Sequence, residues 1–183
     1  HEAHGADLFV VAATDGLYLV EKGDGVTLTT RKLTDQRSHA DVAFDGAAAE
    51  KLEGGGDTLL DDVLDRARVL AAAEMLGMAQ QVFDTTLDYL KQRVQFNQVL
   101  SSFQALQHRM VDTMMAYEQC KSLLFKALCE YQQDPKVAVD TIHALKVLVD
   151  RSSKHIFGEA IQIHGGMGIT DELDIGHYAK RLM

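Results

Sequence analysis

Between Asp57 and Arg93 the chain contains no proline and a single glycine, Gly77. Proline removes an amide donor and clashes with the preceding helical turn, and glycine weakens a helix through its backbone freedom, so this run is left free to stay helical. At 1.5 Å per residue it predicts a helix about 50 Å long. Asp57 is the expected N-cap, and Asp61 and Asp62 put negative charge in the first turn, where the helix dipole favours it. Helices of this length belong in bundles.

The sequence supplies partners for it. Ser101-Ser102-Phe103-Gln104 fits the capping-box pattern and predicts a second helix starting at Ser101. Its expected apolar stripe is Phe103, Leu106, Met110, Met114, Tyr117, Leu124, Leu128 and Tyr131, in steps of three and four interrupted by Lys121. Asp134-Pro135 offers an N-cap followed by proline at the first helical position, which opens a third helix with Leu145, Val149, Ile156 and Ile163 on one side. Gly165-Gly166 ends it. A short fourth helix is expected from near Asp171 through His177 and Tyr178. The fold class is therefore mainly α: an up-down four-helix bundle over residues 57–183, with its last helix cut short.

The residues before Gly54-Gly55-Gly56, a linker by composition, read differently. Four runs carry strand signals: Ala6 to Ala13, Leu17 to Lys22, Val26 to Lys32 and Ala40 to Phe44. Asp15-Gly16, Gly23-Asp24-Gly25 and Asp45-Gly46 separate or end them. These predict an antiparallel meander with too few strands to close on itself, so residues 1–53 are expected to be part of a larger β-domain.

Composition narrows the function classes. A formal net charge of -9 argues against a general binder of nucleic acid or anionic membranes, because both require concentrated positive charge. No apolar run approaches the ~20 residues of a membrane span, which predicts a soluble chain. Cys120 and Cys129 lack metal-ligand spacing and read as reduced core thiols. The histidines show no metal-site spacing, and no Gly-x-Ser-x-Gly nucleophile elbow occurs. The opening His1-Glu2-Ala3-His4 has neither the charged start nor the apolar core of a signal peptide, and reads as a cut, tagged or incompletely represented beginning.

Few residues are candidates for chemistry. Gln162-Ile163-His164-Gly165-Gly166-Met167-Gly168 places three glycines within four residues at a helix end. Such a turn is either an ordinary helix cap or a place where another backbone or a bulky ligand comes close, because glycine has no Cβ to collide with. It follows a helix, so it is not the dinucleotide-binding glycine loop, which follows a strand. Arg93 at the end of the first helix either complements the helix dipole or offers its planar fork to a phosphate. Asp65 and Arg68 are spaced for an i,i+3 ion pair.

These motifs occur in one order that resembles the acyl-CoA dehydrogenase family. Leu64-Asp65-Arg66-Ala67-Arg68 resembles the Asp-x-x-Arg that starts the family's long substrate-side helix. Arg93-Val94-Gln95-Phe96 resembles its Arg-x-x-Phe, Phe103-Gln104-Ala105-Leu106-Gln107 the segment opening the next helix, and Gln162 to Gly168 its Gln-x-x-Gly-Gly-x-Gly signature. The resemblance implies a helical N-terminal domain, a β-domain and a C-terminal four-helix bundle, with FAD held between β-domain and bundle and across a subunit interface. Arg93 and Gln104 would then meet the FAD of a neighbouring subunit, Arg93 at the pyrophosphate, with Phe96 and Phe103 beside them. Gln162, Ile163, His164, Gly165 and Gly166 would lie along the same cofactor, and Asp65 and Arg68 would line the acyl-CoA site. The implied partners are an acyl-CoA substrate, an electron-transfer flavoprotein and further subunits in a dimer or tetramer. The implied location is the cytoplasm, or the mitochondrial matrix in a eukaryote.

The reaction implied is α,β-dehydrogenation of an acyl thioester, in which a carboxylate removes the α-proton while the β-hydrogen leaves to the flavin with its bonding electrons. The sequence departs from the pattern in ways that leave the base unassigned. The resemblance places it either shortly beyond Met183 or at position 67, which is Ala67, and Glu172 lies near without being assigned. Asp174 stands where a proline is usual after the glycine turn, and Lys180-Arg181 where Arg-Asp is usual. Three readings follow: a fragment of a flavin-dependent dehydrogenase, a non-catalytic subunit lending cofactor contacts to an active partner, or a plain helical interaction domain.

Overall fold

The computed structural model describes residues 3–54 and 57–182. The chain divides into two compact units, His1–Leu64 and Asp65–Met183.

In the first unit, a short 3-10 turn at Ala3–Gly5 leads into strand β1 (Leu8–Ala13), and Thr14-Asp15 turns it into β2 (Gly16–Glu21). The two are antiparallel, from Leu8 opposite Glu21 to Ala13 opposite Gly16. Strands β3 (Val26–Lys32) and β4 (Ser38–Phe44) pair with each other, and β5 (Ala49–Lys51) adds to the free edge of β2, with Tyr18 opposite Lys51. The single four-stranded meander expected from the sequence is thus corrected to a three-stranded sheet, β1-β2-β5, and a separate hairpin. Three residues, Ala-Glu-Lys, are too few and too polar for β5 to show a period-two signal.

Burial concentrates on the central strand, where Leu17 and Val20 are enclosed while Leu8, Val10 and Phe44 remain exposed. Asp15 ties the first turn to β5: its carboxylate accepts from the Tyr18 hydroxyl at 2.8 Å and the Lys51 ammonium at 3.1 Å. Those donors, Tyr18 foremost, hold the Asp15 carboxyl below the usual range. Gly25 has a genuine steric role. Its φ is +81°, and a Cβ there would lie 2.6 Å from the Ala47 nitrogen and the Asp45 carbonyl oxygen.

The helical unit is built from α1 (Asp57–Gln92), α2 (Gln104–Gln133), α3 (Pro135–His164) and α4 (Asp174–Leu182). The glycines of the expected linker, Gly55 and Gly56, and the side chain of the expected cap Asp57 lie outside the described residues. Three apolar clusters run along the bundle. At one level Val69, Ala72 and Leu76 of α1 meet Cys120 and Ala127 of α2 and Ala138, Ile142, Leu145 and Val149 of α3. Farther on, Ala79 and Val82 meet Ile156, Phe157 and Ala160, and α4 lays Ile175, Ala179 and Leu182 against them. At the far end Leu90, Met110 and Ile163 close the core. The end of α1, the start of α2 and the end of α3 share a cluster, as do the start of α1, the end of α2 and the start of α3. The three helices therefore alternate in direction, as the mainly α, up-down expectation requires.

Helix α3 behaves as its local signals predict. The Asp134 carboxylate accepts from the Lys136 amide at 3.0 Å, Pro135 takes the first position, and Leu145, Val149, Ile156 and Ile163 are all buried. Helix α2 does not. It starts at Gln104 with Phe103 as a cap that makes no side-chain bond, because Leu100–Ser102 forms a 3-10 turn that spends the Ser102 hydroxyl on the Val99 carbonyl. No capping box forms. Its inward stripe is Met110, Thr113, Tyr117, Cys120, Leu124, Ala127 and Tyr131, whereas the expected Met114 and Leu128 are exposed. Cys120 is buried, which pushes its thiol pKa up, but Cys129 lies exposed rather than in the core. Helix α4 begins at Asp174, later than the expected Asp171, because Gly165–Ile169 winds as a 3-10 turn and a further turn precedes the helix.

No helix among the described residues is long and apolar enough to cross a membrane. Because Asp134 satisfies the amide of Lys136, Asp134→Ala should lower the protein's unfolding free energy by about 1 kcal/mol in a denaturant titration. An unchanged transition would show that the cap contributes nothing.

Candidate functional site

The end of the bundle closed by Leu90, Met110 and Ile163 is also where the chain makes its irregular turns. After α1 the Arg93 amide donates to the Tyr89 carbonyl at 2.8 Å, and the Arg93 carbonyl accepts from Leu100 at 2.9 Å. Between them lies a hairpin that sequence reasoning missed, β6 (Val94–Gln95) and β7 (Gln98–Val99), with Val94 opposite Val99. Its two-residue loop places Phe96 at φ 53° and Asn97 at φ 63°. Left-handed backbone at both positions matches the twist of a tight hairpin. Asparagine tolerates it, but phenylalanine adopts it at a cost, so the flanking ladder imposes the conformation. The available signal was Asn97 between Val94-Gln95 and Gln98-Val99, without the usual glycine.

This turn displays an aromatic ring outward. Phe96 is 82% exposed and stands edge-on to Phe103, with ring centroids 6.1 Å apart. Arg93 is exposed beside it and, among the described residues, has no carboxylate partner. Three other arginines of the bundle do: Arg68 pairs with Asp65, Arg109 with Glu159 and Arg181 with Glu74.

The end of α3 comes to the same place. Its Gln162 is exposed, while Ile163 and His164 are buried. The His164 ring lies against Tyr89 with centroids 4.2 Å apart and planes at 30°, and its Nδ1–H donates to the Ala160 carbonyl at 2.8 Å. Burial pushes the imidazole below its ordinary pKa and so favours the neutral ring, against the opposite pull of that hydrogen bond. Gly165 caps the helix at φ 60°, ψ -135°, a region that side chains rarely enter. A Cβ on Gly165 or Gly166 would meet open space, whereas one on Gly168 would collide with the backbone of Ile161. The glycines thus have separate tasks: Gly165 turns the chain, Gly166 leaves the backbone bare, and Gly168 lets the turn fold back on α3.

Arg93, Phe96, Phe103, Gln104 and Gln162 to Gly166 are therefore brought to one end of the bundle. Asp65 and Arg68 are not. They sit near the other end of α1, about 40 Å away at the rise of a helix. Asp65 is buried, accepts from Arg68 Nη1 at 2.5 Å and has His143 Nε2 at 3.5 Å from the same oxygen. The turn before α4 carries two neighbouring acids. Asp171 is fixed by Lys180 at 2.7 Å and by the His177 ring N–H, which donates to its carbonyl at 3.2 Å. Glu172 is exposed and, among the described residues, unpaired.

The helical bundle thus ends in a bare glycine turn, an outward aromatic ring and a guanidinium with no carboxylate partner among the described residues. The model of the acyl-CoA dehydrogenase C-terminal domain matches residues 54–183, so the chain belongs to the acyl-CoA dehydrogenase family. It is 30% identical to the short-chain-specific acyl-CoA dehydrogenase of Megasphaera elsdenii, over 97% of this chain and 46% of that protein. Against acyl-CoA dehydrogenase IpdE2 of Mycolicibacterium smegmatis the identity is 34%, over 86% and 50%. Among solved structures, butyryl-CoA dehydrogenase of M. elsdenii superposes with a TM-score of 0.84 at 26% identity, over 98% of this chain and 51% of that one. PigA bound to FAD and proline gives 0.86 at 25%, over 97% and 51%. The chain thus spans about half the length of the relatives it matches.

The crowding at Gly168 gives a direct check on the turn. Gly168→Ala should destabilise the protein by about 1–3 kcal/mol, the usual cost of forcing an extra carbon into a packed site. Calorimetry or denaturant unfolding reads this, and wild-type stability in the variant would mean that the turn does not pack on Ile161.

Proposed function

We propose that the protein of which this chain forms part is a flavin-dependent oxidoreductase that dehydrogenates an acyl-CoA thioester between its α and β carbons. The observation that carries the reading is the pairing, at one end of the bundle, of the uncommitted Arg93 guanidinium with the exposed Phe96 ring and the bare Gly165-Gly166 backbone. A dinucleotide cofactor asks for those three things: a planar cation for its pyrophosphate, an apolar edge, and backbone that a large ring system can approach. FAD fits this set. Arg93 and Gln104 would hold it, with Phe96 and Phe103 alongside and Gln162, Gly165 and Gly166 completing the wall. Ile163 and His164, both buried, would support that wall from within.

Exposure of this whole end is what an interface site looks like before its other half is added, and it supports the reading that the cofactor met here belongs to a neighbouring subunit of a dimer or tetramer. Bound FAD supplies the acceptor for the hydrogen leaving the β-carbon, and an electron-transfer flavoprotein would reoxidise it. Asp65 and Arg68 would line the acyl-CoA site. Their mutual bond leaves the guanidinium fixed in direction, which suits a polar contact to the thioester or its pantetheine arm.

The α-proton needs a carboxylate. Of the acids on the turn before α4, Asp171 is held by Lys180 and drawn below the usual carboxyl range, Lys180 being the main cause, and Asp174 sits in the first turn of α4. Glu172 is the carboxylate on that turn with no partner among the described residues. The general base is not assigned to a residue of this chain.

One variant of the intact protein tests the reading. Arg93→Ala should release FAD readily, seen as loss of flavin absorbance on gel filtration, and undiminished flavin content would refute the cofactor role. Flavin-loaded wild-type protein that dehydrogenates no acyl-CoA would instead favour a subunit that only lends contacts.

A further inference from the structure

We infer that Tyr89 is a positioning residue for the cofactor site, acting through its ring contact with His164 to fix Arg93 relative to the Gly165-Gly166 turn. The inference rests on the reading of that end of the bundle as a cofactor wall.

The wall is assembled from two chain segments far apart in sequence, the end of α1 and the end of α3. Each is a helix terminus, the part of a helix that lacks its own hydrogen-bond partners and frays first. What joins them is specific. Tyr89 is one turn before Arg93, and its carbonyl accepts the Arg93 amide at 2.8 Å, so the position of Tyr89 sets where the Arg93 backbone leaves the helix. His164 directly precedes Gly165, and its own ring is fixed by the Nδ1 bond to Ala160, so the ring cannot swing without breaking a buried hydrogen bond. The two rings meet at 4.2 Å with their planes only 30° apart. Two ring faces in such close contact resist sliding in a way that branched aliphatic side chains do not.

The rest of the junction is apolar, with Phe83 packed on the same cluster. Leu90, Met110 and Ile163 fill the core below, with Leu87, Leu100 and Leu106 around them. Those contacts hold the helices together, and of the ring pairs among the described residues it is Tyr89 with His164 that joins the end of α1 to the end of α3. The Tyr89 hydroxyl has no hydrogen-bond partner among the described residues, so the ring rather than the oxygen carries the role. Cofactor affinity depends on such fixed geometry, because a guanidinium displaced by an ångström loses the paired bonds that a pyrophosphate offers.

The experiment titrates the apoprotein form of the intact protein with FAD, following flavin fluorescence, and compares Tyr89→Leu, Tyr89→Phe and Arg93→Ala. Tyr89→Leu should raise the FAD dissociation constant at least tenfold while its urea midpoint stays close to that of Tyr89→Phe. Tyr89→Phe should bind within about twofold of wild type, because it keeps the ring. Wild-type affinity in Tyr89→Leu, or equal losses in the Leu and Phe variants, would overturn the inference. If Tyr89→Leu does not fold, Tyr89→Met takes its place with the same expected loss, and retained affinity there is equally contrary. Arg93→Ala separates the two levels: unchanged affinity in that variant removes the cofactor reading itself, whereas loss in Arg93→Ala without loss in Tyr89→Leu removes only the positioning role.

Discussion

Helix α3 contributes side chains to all three apolar clusters of the bundle, and the other helices are arranged around it. Ile142, Leu145, Val149, Ile156, Phe157 and Ile163 run its length at 7% exposure or less. Burial of each such side chain is worth about 1.5–3 kcal/mol, so this one stripe outweighs any hydrogen bond or ion pair on the bundle surface. Small residues let the neighbours come close. Ala72, Ala79, Ala127, Ala138 and Ala160 are all essentially solvent-free, and bulkier side chains there would push the helices apart.

That packing explains why the candidate site lies where it does. A helix core of this kind commits its middle to apolar contact and leaves only its ends free to present backbone and charge. At one end α1, α2 and α3 terminate or begin together, so a turn built on glycine, a tight hairpin and the exposed Arg93 guanidinium are gathered without disturbing the core. At the other, Asp65 is buried against Arg68 and His143, a polar cluster held by the first turns of unit two. The length of α1 keeps the two places about 40 Å apart. Helix α4 then folds back along α1 and α3, with Arg181 clasping Glu74, and brings the Asp171-Glu172 turn against a firm support.

Features fixed by neighbouring residues were legible in the sequence. Asp134, Pro135 and Gly165 act within a few residues of themselves, and the ends of α3 fell where they predict. The length of α1 was legible from the absence of breakers. What failed depended on contacts between distant segments. Helix α2 has two apolar faces, so Met114 and Leu128 were as plausible inside as Thr113 and Ala127, and only the shape of α1 and α3 decides between them. The Ser101 capping box gave way to a 3-10 turn because Ser102 and the hairpin before it claim that stretch of backbone. Tyr89 and His164 are 75 positions apart, and nothing in either neighbourhood announces the other. The family motifs pointed to Arg93 and the glycine turn one at a time, but not to the ring contact that joins them.

The central claim is that the end of the bundle carrying Arg93 and Gly165-Gly166 is one cofactor surface rather than two unrelated helix ends. Hydrogen exchange of the intact apoprotein, measured by mass spectrometry with and without FAD, tests it most directly. Peptides covering residues 93–104 and 162–168 should gain protection together on adding FAD, at the same FAD concentration. Protection of neither, or of one without the other, would contradict the account.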